Sequence, residues 1–219
     1  MGPKVLGALG GRDMPPDLLE RWARSADVVI AADSGADVLI ERGIHPLQVV
    51  GDLDSTTSKE LLAELEAQGL LQLVHDPSQQ NTDCDKLLDI ALREGYDDIT
   101  LAGVEGDQLD HMLATLHSAA RSPLRVRVAL RNGVGWILRD DQEVKVATEE
   151  GRRVSLLPLA PAEGVTLRGV EWPLERSEMN PLGKSSISNK ATGDEVFAHL
   201  WEGAAFLFVE YDDSEVPFW

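Results

Sequence analysis

Up to about residue 140, short apolar runs alternate with segments of helical character, and this alternation constrains the fold more than any other feature of the chain. Val28 to Ala32, Leu47 to Val50, Leu71 to Val74 and Ile99 to Ala102 are brief and uncharged, as strands buried on both faces are. Around and between them, residues 16–25, 34–42, 58–68, 82–93 and 109–120 read as helices. In the third of these, Leu61, Leu62 and Leu65 form one apolar face, with Glu60, Glu64 and Glu66 elsewhere around the turn. Parallel neighbours need a long crossover between them, so the spacing predicts βαβ units and a mainly parallel sheet.

Beyond residue 140 the period changes. Val144 to Val146, Val154 to Leu156, Val165 to Leu167, Val196 to Ala198 and Ala205 to Val209 are separated by turns containing Gly or Pro, with no helical segment among them. An all-β, sandwich-like second domain is expected. The predicted class is therefore α/β, with an α/β domain over 1–140 and a β domain over 141–219, divided near Arg139 to Gln142.

Charge narrows the choice of ligand. Twenty Lys and Arg stand against 38 Asp and Glu, a formal net charge of −18 over 219 residues. Such an excess repels nucleic-acid phosphates and anionic lipid, so neither nucleic acid nor membrane is an expected partner; an anionic ligand must be held by local donors or through a bound cation. Cys84 is the single cysteine, which excludes an intrachain disulfide and fits a reducing, cytoplasmic compartment. There is no run of ~18 apolar residues for a membrane span, and Val5 to Leu9 is too short for the core of a secretory leader.

In an open α/β sheet, ligands bind beyond the carboxyl ends of the strands. The segments there are Asp33-Ser34-Gly35-Ala36, Gly51-Asp52-Leu53-Asp54-Ser55, Asn81-Thr82-Asp83-Cys84-Asp85-Lys86 and Gly103-Val104-Glu105-Gly106-Asp107-Gln108-Leu109-Asp110-His111. An isolated Asp-x-Asp is ordinarily a solvated turn. Aspartates at four exits of one sheet differ, because like charges held together destabilise a fold unless a cation is present. Hard carboxylate oxygens suit Mg²⁺, which takes one or two carboxylates together with substrate phosphates. The pattern points to a metal-dependent phosphate site. Lys86 is placed to pair with these carboxylates or to meet a phosphate, the other role for it being a surface helix lysine. The same carboxylates would raise the Cys84 thiol pKa and leave it inert. Gly183-Lys184-Ser185 ends like a phosphate loop, but Glu178 stands where the first glycine is required.

Taken in order, Ala31 to Ala36, Gly51 to Ser55, Thr82 to Lys86 and the Gly103-x-x-Gly106-x-x-Leu109-Asp110-His111 segment resemble the motifs of thiamine pyrophosphokinase. Ser185 to Asn189, followed by Gly193 and Val196, looks like that family's late Ser-Asn segment, so the resemblance spans nearly the whole chain. It implies transfer of a diphosphoryl group from ATP to the hydroxyethyl oxygen of thiamine, giving thiamine diphosphate and AMP. It also implies Mg²⁺ as cofactor and a homodimer with thiamine near the subunit contact. By the same resemblance, Asp52, Asp54, Asp83 and Asp85 would bind metal, while Asp54, Asp83 and Asp110 would serve the chemistry. Asp33, Gly35, Asp52, Lys86, Gly103, Gly106 and His111 fall at the ATP positions, and Ser188 and Asn189 where the family contacts thiamine. Trp172 and Trp201 are candidates to stack on the cationic thiazolium, with burial in the core their expected role.

The chain departs from the family at one place. Where Gly-Gly-Arg commonly precedes x-Asp-His, it has Gly106-Asp107-Gln108. A phosphate-facing Arg is missing, and Arg12, Lys86 and Lys184 are the nearest basic substitutes. Two alternatives stand beside the main expectation: a related diphosphokinase acting on another alcohol, such as a pterin carbinol, and a non-catalytic nucleotide- or thiamine-binding module.

Overall fold

The computed structural model describes residues 2–54, 56–78, 80–106, 108–212 and 214–219; Ser55 and Asp107, named above, lie outside the described residues. Two compact units form, Met1–Arg131 with Pro217–Trp219, and Asn132–Val216. Among the described residues the first unit alternates strands and helices throughout: β1 (Val5–Ala8), α1 (Pro16–Ser25), β2 (Val28–Ala32), α2 (Gly35–Ile40), β3 (Gln48–Gly51), α3 (Lys59–Ala67), β4 (Gln72–His75), α4 (Asp83–Arg93), β5 (Asp98–Ala102), α5 (Leu109–Arg121) and β6 (Arg125–Leu130). The strands lie in the order β6-β5-β1-β2-β3-β4 with every pairing parallel. This is the α/β arrangement expected from the alternation.

Two of these strands escape the sequence pattern. The sequence treats Val5 to Leu9 only as an apolar run too short for a leader, yet Val5, Leu6 and Ala8 are at most 1% exposed at the centre of the sheet. Four residues are too few to display a period. In β6, Arg125 and Arg127 disguise a strand whose intervening Val126 and Val128 are buried.

Local signals account for the helices. Pro16 occupies the first helical position of α1, where its missing N–H costs nothing. Thr82 and Asp85 form a reciprocal capping box at the start of α4. The apolar face of α4, including Leu87, Leu88 and Ala91, packs on β2 and β3. Trp22 of α1 is fully buried, with the rings of Phe218 and Trp219 set edge-on at 4.7 and 5.5 Å.

The second unit consists of β7 (Gly133–Arg139), β8 (Glu143–Ala147), β9 (Arg153–Pro158), β10 (Ala162–Arg168), β11 (Leu174–Met179), β12 (Ser186–Lys190), β13 (Glu195–His199) and β14 (Ala204–Glu210). They pair antiparallel as β12-β9-β14-β7 and β11-β10-β13-β8. Val154 and Leu156 of the first set and Val165, Leu167 and Val196 of the second are at most 1% exposed. No helix occurs in this unit among the described residues. The unit begins at Asn132, ahead of the expected 141, because β7 pairs with β14 along its whole length, Gly133 through Arg139. That partner is too distant in sequence for a local pattern to reveal. No helix of the described residues is long and apolar enough to cross a membrane.

Candidate active site

β1 is flanked by β2 on one side and β5 on the other, so the direction of the crossovers reverses there. Chains diverging from such a switch point leave a crevice at the carboxyl ends of the strands. A cleft of about 530 Å³ lies in the first unit, lined by Asp33, Asp52, Asp54, Asp83, Lys86, Gly103 and His111 among others. Three of the four acidic strand exits thus reach one cavity, and the fourth contributes its glycine and histidine.

Asp33 continues the β2 ladder, its N–H donating to the Val50 carbonyl at 2.9 Å, and then turns into the left-handed region at φ 46°. The residue is 4% exposed, and its Oδ1 accepts from the Thr56 hydroxyl at 3.1 Å. Beyond β3, the Asp54 N–H donates to Asp52 Oδ1 at 3.1 Å, closing an Asx turn over Leu53, which also takes a positive φ of 59°. Asp54 is exposed and Asp52 half-buried. The backbone also comes unusually close to itself beneath the cleft. A Cβ on Gly35 would lie 2.2 Å from the Ala8 carbonyl oxygen, and one on Gly103, at φ +71°, would lie 2.2 Å from that of Leu9. Only glycine fits these places.

The first turn of α4 contributes Asp83 and Lys86 to the lining, with Lys86 Nζ 3.9 Å from Asp83 Oδ1. Lys86 is 4% exposed. It is no surface helix lysine, and it is the one Lys or Arg among the described residues lining the cleft. Four carboxylates against one ammonium leave the cavity strongly negative. A phosphate chain cannot enter without added positive charge. Arg12 does not supply it in this arrangement, since its guanidinium forks onto both oxygens of Glu41 at 3.0–3.2 Å. Among the described residues no group of three or more His, Cys, Asp or Glu side chains is gathered to cage an ion. Mg²⁺ does not need a cage, because it keeps waters and shares phosphate oxygens with one or two carboxylates. Asp52, Asp54 and Asp83 fit it by donor chemistry and by their opening onto one cleft.

Other expected site residues do not line the cleft. Asp85 is not among the residues lining the cleft. Its Oδ2 accepts from the Thr82 N–H at 3.0 Å and the Thr82 hydroxyl at 2.9 Å, and its Oδ1 accepts from Arg121 at 3.0 Å. Burial opposes its charge, but the Ser118 hydroxyl, Thr82 and the Arg121 guanidinium outweigh that and hold its pKa below the ordinary carboxylate value. In this structure Asp85 is the N3 partner of the α4 capping box. Asp110, in the first turn of α5, is exposed and also outside the cleft lining. Gly106 turns at φ +86° against Asp13 rather than into the cavity. Cys84 is 2% exposed, and burial followed by the Asp85 charge pushes its thiol up to about 12.

In the second unit, Asn189 is 1% exposed. Its Oδ1 accepts from the Trp172 and Lys190 N–H groups, and its Nδ2 donates to the Trp172 carbonyl at 2.8 Å and the Ser186 hydroxyl at 3.1 Å. Every donor of the amide is committed, and what it fixes is Trp172. Ser188 is exposed, at φ 56°, with its N–H donating to the Ser155 hydroxyl. Trp172 and Trp201 are 57% and 51% exposed, which corrects the expectation of core burial.

Sequence reasoning missed Asp37 altogether. It sits within α2, where an aspartate looks like any polar helix residue, yet it is 2% exposed. Its oxygens accept from the Thr57 and Ser58 N–H groups at 2.8 and 2.9 Å. Burial raises its pKa, but these bonds prevail and hold it below the ordinary value. The local signal was only the run of hydroxyl residues Thr56 to Ser58 ahead of α3, which lacks a side-chain cap of its own.

Comparison with known proteins identifies this architecture. The model of the thiamin pyrophosphokinase catalytic domain matches residues 19–130, and that of the thiamin pyrophosphokinase vitamin B1 binding domain matches residues 141–198. The chain is similar to thiamine pyrophosphokinase of Bacillus subtilis (strain 168), 26% identical over 186 residues, covering 83% of this chain and 86% of the relative. The crystal structure of the Bacillus subtilis thiamine pyrophosphokinase superimposes with a TM-score of 0.77 at 23% identity, over 95% of this chain and 99% of that one. Thiamin pyrophosphokinase from Candida albicans has the same fold, with a TM-score of 0.76 at 18% identity over 95% and 90% of the two chains. With the catalytic-domain match alone spanning more than half its residues, the chain belongs to the thiamin pyrophosphokinase family.

Proposed function

We propose that this chain transfers a diphosphoryl group from ATP to the hydroxyl of thiamine, giving thiamine diphosphate and AMP. The observation that carries this reading is the cleft at the strand switch point, where Asp33, Asp52, Asp54 and Asp83 face a single Lys86 in a member of this family. A polyanionic substrate fits such a place only with a divalent cation. Asp52, Asp54 and Asp83 would hold Mg²⁺, which when bound neutralises charge on the ATP phosphates and orients them for in-line attack. Lys86, buried and already beside Asp83, meets the phosphate chain as a point charge.

In the transfer, the alcohol oxygen forms a bond to the β-phosphorus, and the bond from that phosphorus to the oxygen bridging to the α-phosphate breaks, so AMP departs with the electron pair. The alcohol proton passes to an exposed cleft carboxylate; Asp54 and Asp83 are the two at hand. The protein's contribution is mainly positioning. The exposed ring of Trp172 in the second unit, held in place by Asn189, is suited to a cationic thiazolium, whereas Trp201 already carries the Arg176 guanidinium 5.4 Å over its ring and Gly164 against it. A homodimer in the cytoplasm belongs to the same reading.

The test is an assay of nucleotide products with ATP, Mg²⁺ and thiamine, alongside other primary alcohols including a pterin carbinol. AMP forming in step with thiamine diphosphate is expected. Formation of ADP, or turnover with a different alcohol only, overturns the assignment. Asp54→Asn should abolish turnover while the protein still folds; near-normal activity in that variant removes the metal-site assignment.

A further inference from the structure

We infer that Asp37 and Thr56 are positioning residues whose hydrogen bonds hold the Asp52-Leu53-Asp54 turn in the shape that presents its carboxylates to the cleft. The inference rests on the proposed role of Asp52 and Asp54. Leu53 sits at φ 59°, in the left-handed region that non-glycine residues rarely adopt, so the turn persists only if its surroundings over-determine it. Asp52 Oδ1 accepting from the Asp54 N–H is an internal bond and cannot by itself place the turn relative to the sheet.

Lys59 of α3 donates to the Asp54 carbonyl at 3.3 Å, and further external restraints come from the segment that follows β2. On the upstream side, Asp33 N–H bonds the Val50 carbonyl within β3, and a Cβ on Gly51 would lie 3.2 Å from Asp33 Cγ. Downstream, the buried Thr56 hydroxyl donates to Asp33 Oδ1 at 3.1 Å. Asp37, one helical turn beyond Asp33, takes the Thr57 and Ser58 N–H groups on its two oxygens. Ser58 is the cap residue of α3 and makes no side-chain cap bond, and the Asp37 carboxylate holds its N–H and that of Thr57 from another helix. Asp33 and Asp37 thereby grip the chain on both sides of the acidic turn. Asp37 is absent from the cleft lining. Its influence is exerted through Asp52 and Asp54.

Asp37→Asn is the sharp variant, because an amide offers only one acceptor oxygen and sets an NH₂ against the second N–H. Thr56→Val removes the hydroxyl bond at nearly constant volume and serves if Asp37→Asn fails to fold. Backbone hydrogen exchange at Asp54, Thr57 and Ser58, measured without ligand, should accelerate about tenfold, the equivalent of roughly one hydrogen bond, while amides of β10 and β13 keep their protection. Titration with Mn²⁺ alone should show weaker binding by a similar factor, with KM for thiamine little changed. Unchanged exchange at Asp54 in both variants, or faster exchange with wild-type Mn²⁺ affinity, overturns the positioning role; the latter would leave Asp37 a cap of α3 only. Wild-type protein that makes no AMP refutes the proposed function instead, and the exchange result is read independently of it.

Discussion

Asp85→Ala separates the structure's account of this site from the sequence's. As a metal ligand, Asp85 would be essential to turnover and nearly irrelevant to folding; as the helix cap seen here, it would be the reverse. The substitution removes the bond from the Thr82 N–H, worth about 0.5–1.5 kcal/mol net, and a negative charge at the start of α4, worth about 0.3–1 kcal/mol. It also removes the ion pair with Arg121, whose side chain is 66% exposed, so solvent screening limits that pair to about 0.2–1 kcal/mol. Alanine returns about 0.5 kcal/mol through its better helix propensity. The net loss should fall between about 0.5 and 3 kcal/mol, a visible fraction of the 5–15 kcal/mol typical of a domain. In urea, with slopes of about 1–3 kcal/mol per molar, the unfolding midpoint should drop by roughly 0.2–3 M with an unchanged slope. Mn²⁺ affinity should stay near the wild-type value, in contrast to Asp52→Asn and Asp83→Asn. Wild-type stability combined with lost Mn²⁺ binding would refute the capping argument and return Asp85 to the metal.

Other consequences are equally direct. Replacing Phe218 and Trp219 together by Ala uncovers Trp22 and deletes two edge-on ring contacts, the bond from Trp219 Nε1 to Ser25 Oγ at 2.8 Å and the Arg127 guanidinium stacked 5.1 Å over Trp219. A loss of about 2–5 kcal/mol is expected, and Trp22 emission should shift to the red; an unchanged unfolding midpoint contradicts it. Cys84, pushed up to about 12 by burial, should resist thiol reagents at pH 8 in the folded protein and react at once in denaturant. Fast labelling of the native state would show the thiol to be open. Asp37 and Asp85 both have folded pKa values below their unfolded ones, so their contribution to stability is complete above the unfolded value and is lost as pH falls through the folded one. Urea midpoints measured from pH 6 downward should therefore decline less steeply in Asp37→Asn than in wild type.

Much of the molecule was legible from the chain alone because its signals are local. Short uncharged runs separated by amphipathic segments specify buried parallel strands and crossover helices wherever they occur, and the acidic exits follow from that placement. The reversal at β1 that opens the cleft is different. It depends on a four-residue strand finding β2 on one side and β5, more than ninety residues later, on the other. Likewise β7 belongs with β14 for reasons no nearby residue states.

Within the site, residue type could announce carboxylates but not their orientation. Asp83 and Asp85 are two positions apart on α4, and helical geometry sends one toward the cleft and the other back to Thr82 and Arg121. Asn189 and Asp37 show the same limit from the other side, since nothing in the sequence says that one braces the Trp172 backbone or that the other accepts the Thr57 and Ser58 N–H groups. By itself the sequence determined the α/β order, the acidic character of the ligand site and the family motifs, because these depend on pattern and composition along the chain. Only the tertiary structure decided which carboxylates share solvent in one cleft and which spend their lone pairs on backbone N–H groups, because that depends on distances between segments far apart in the chain.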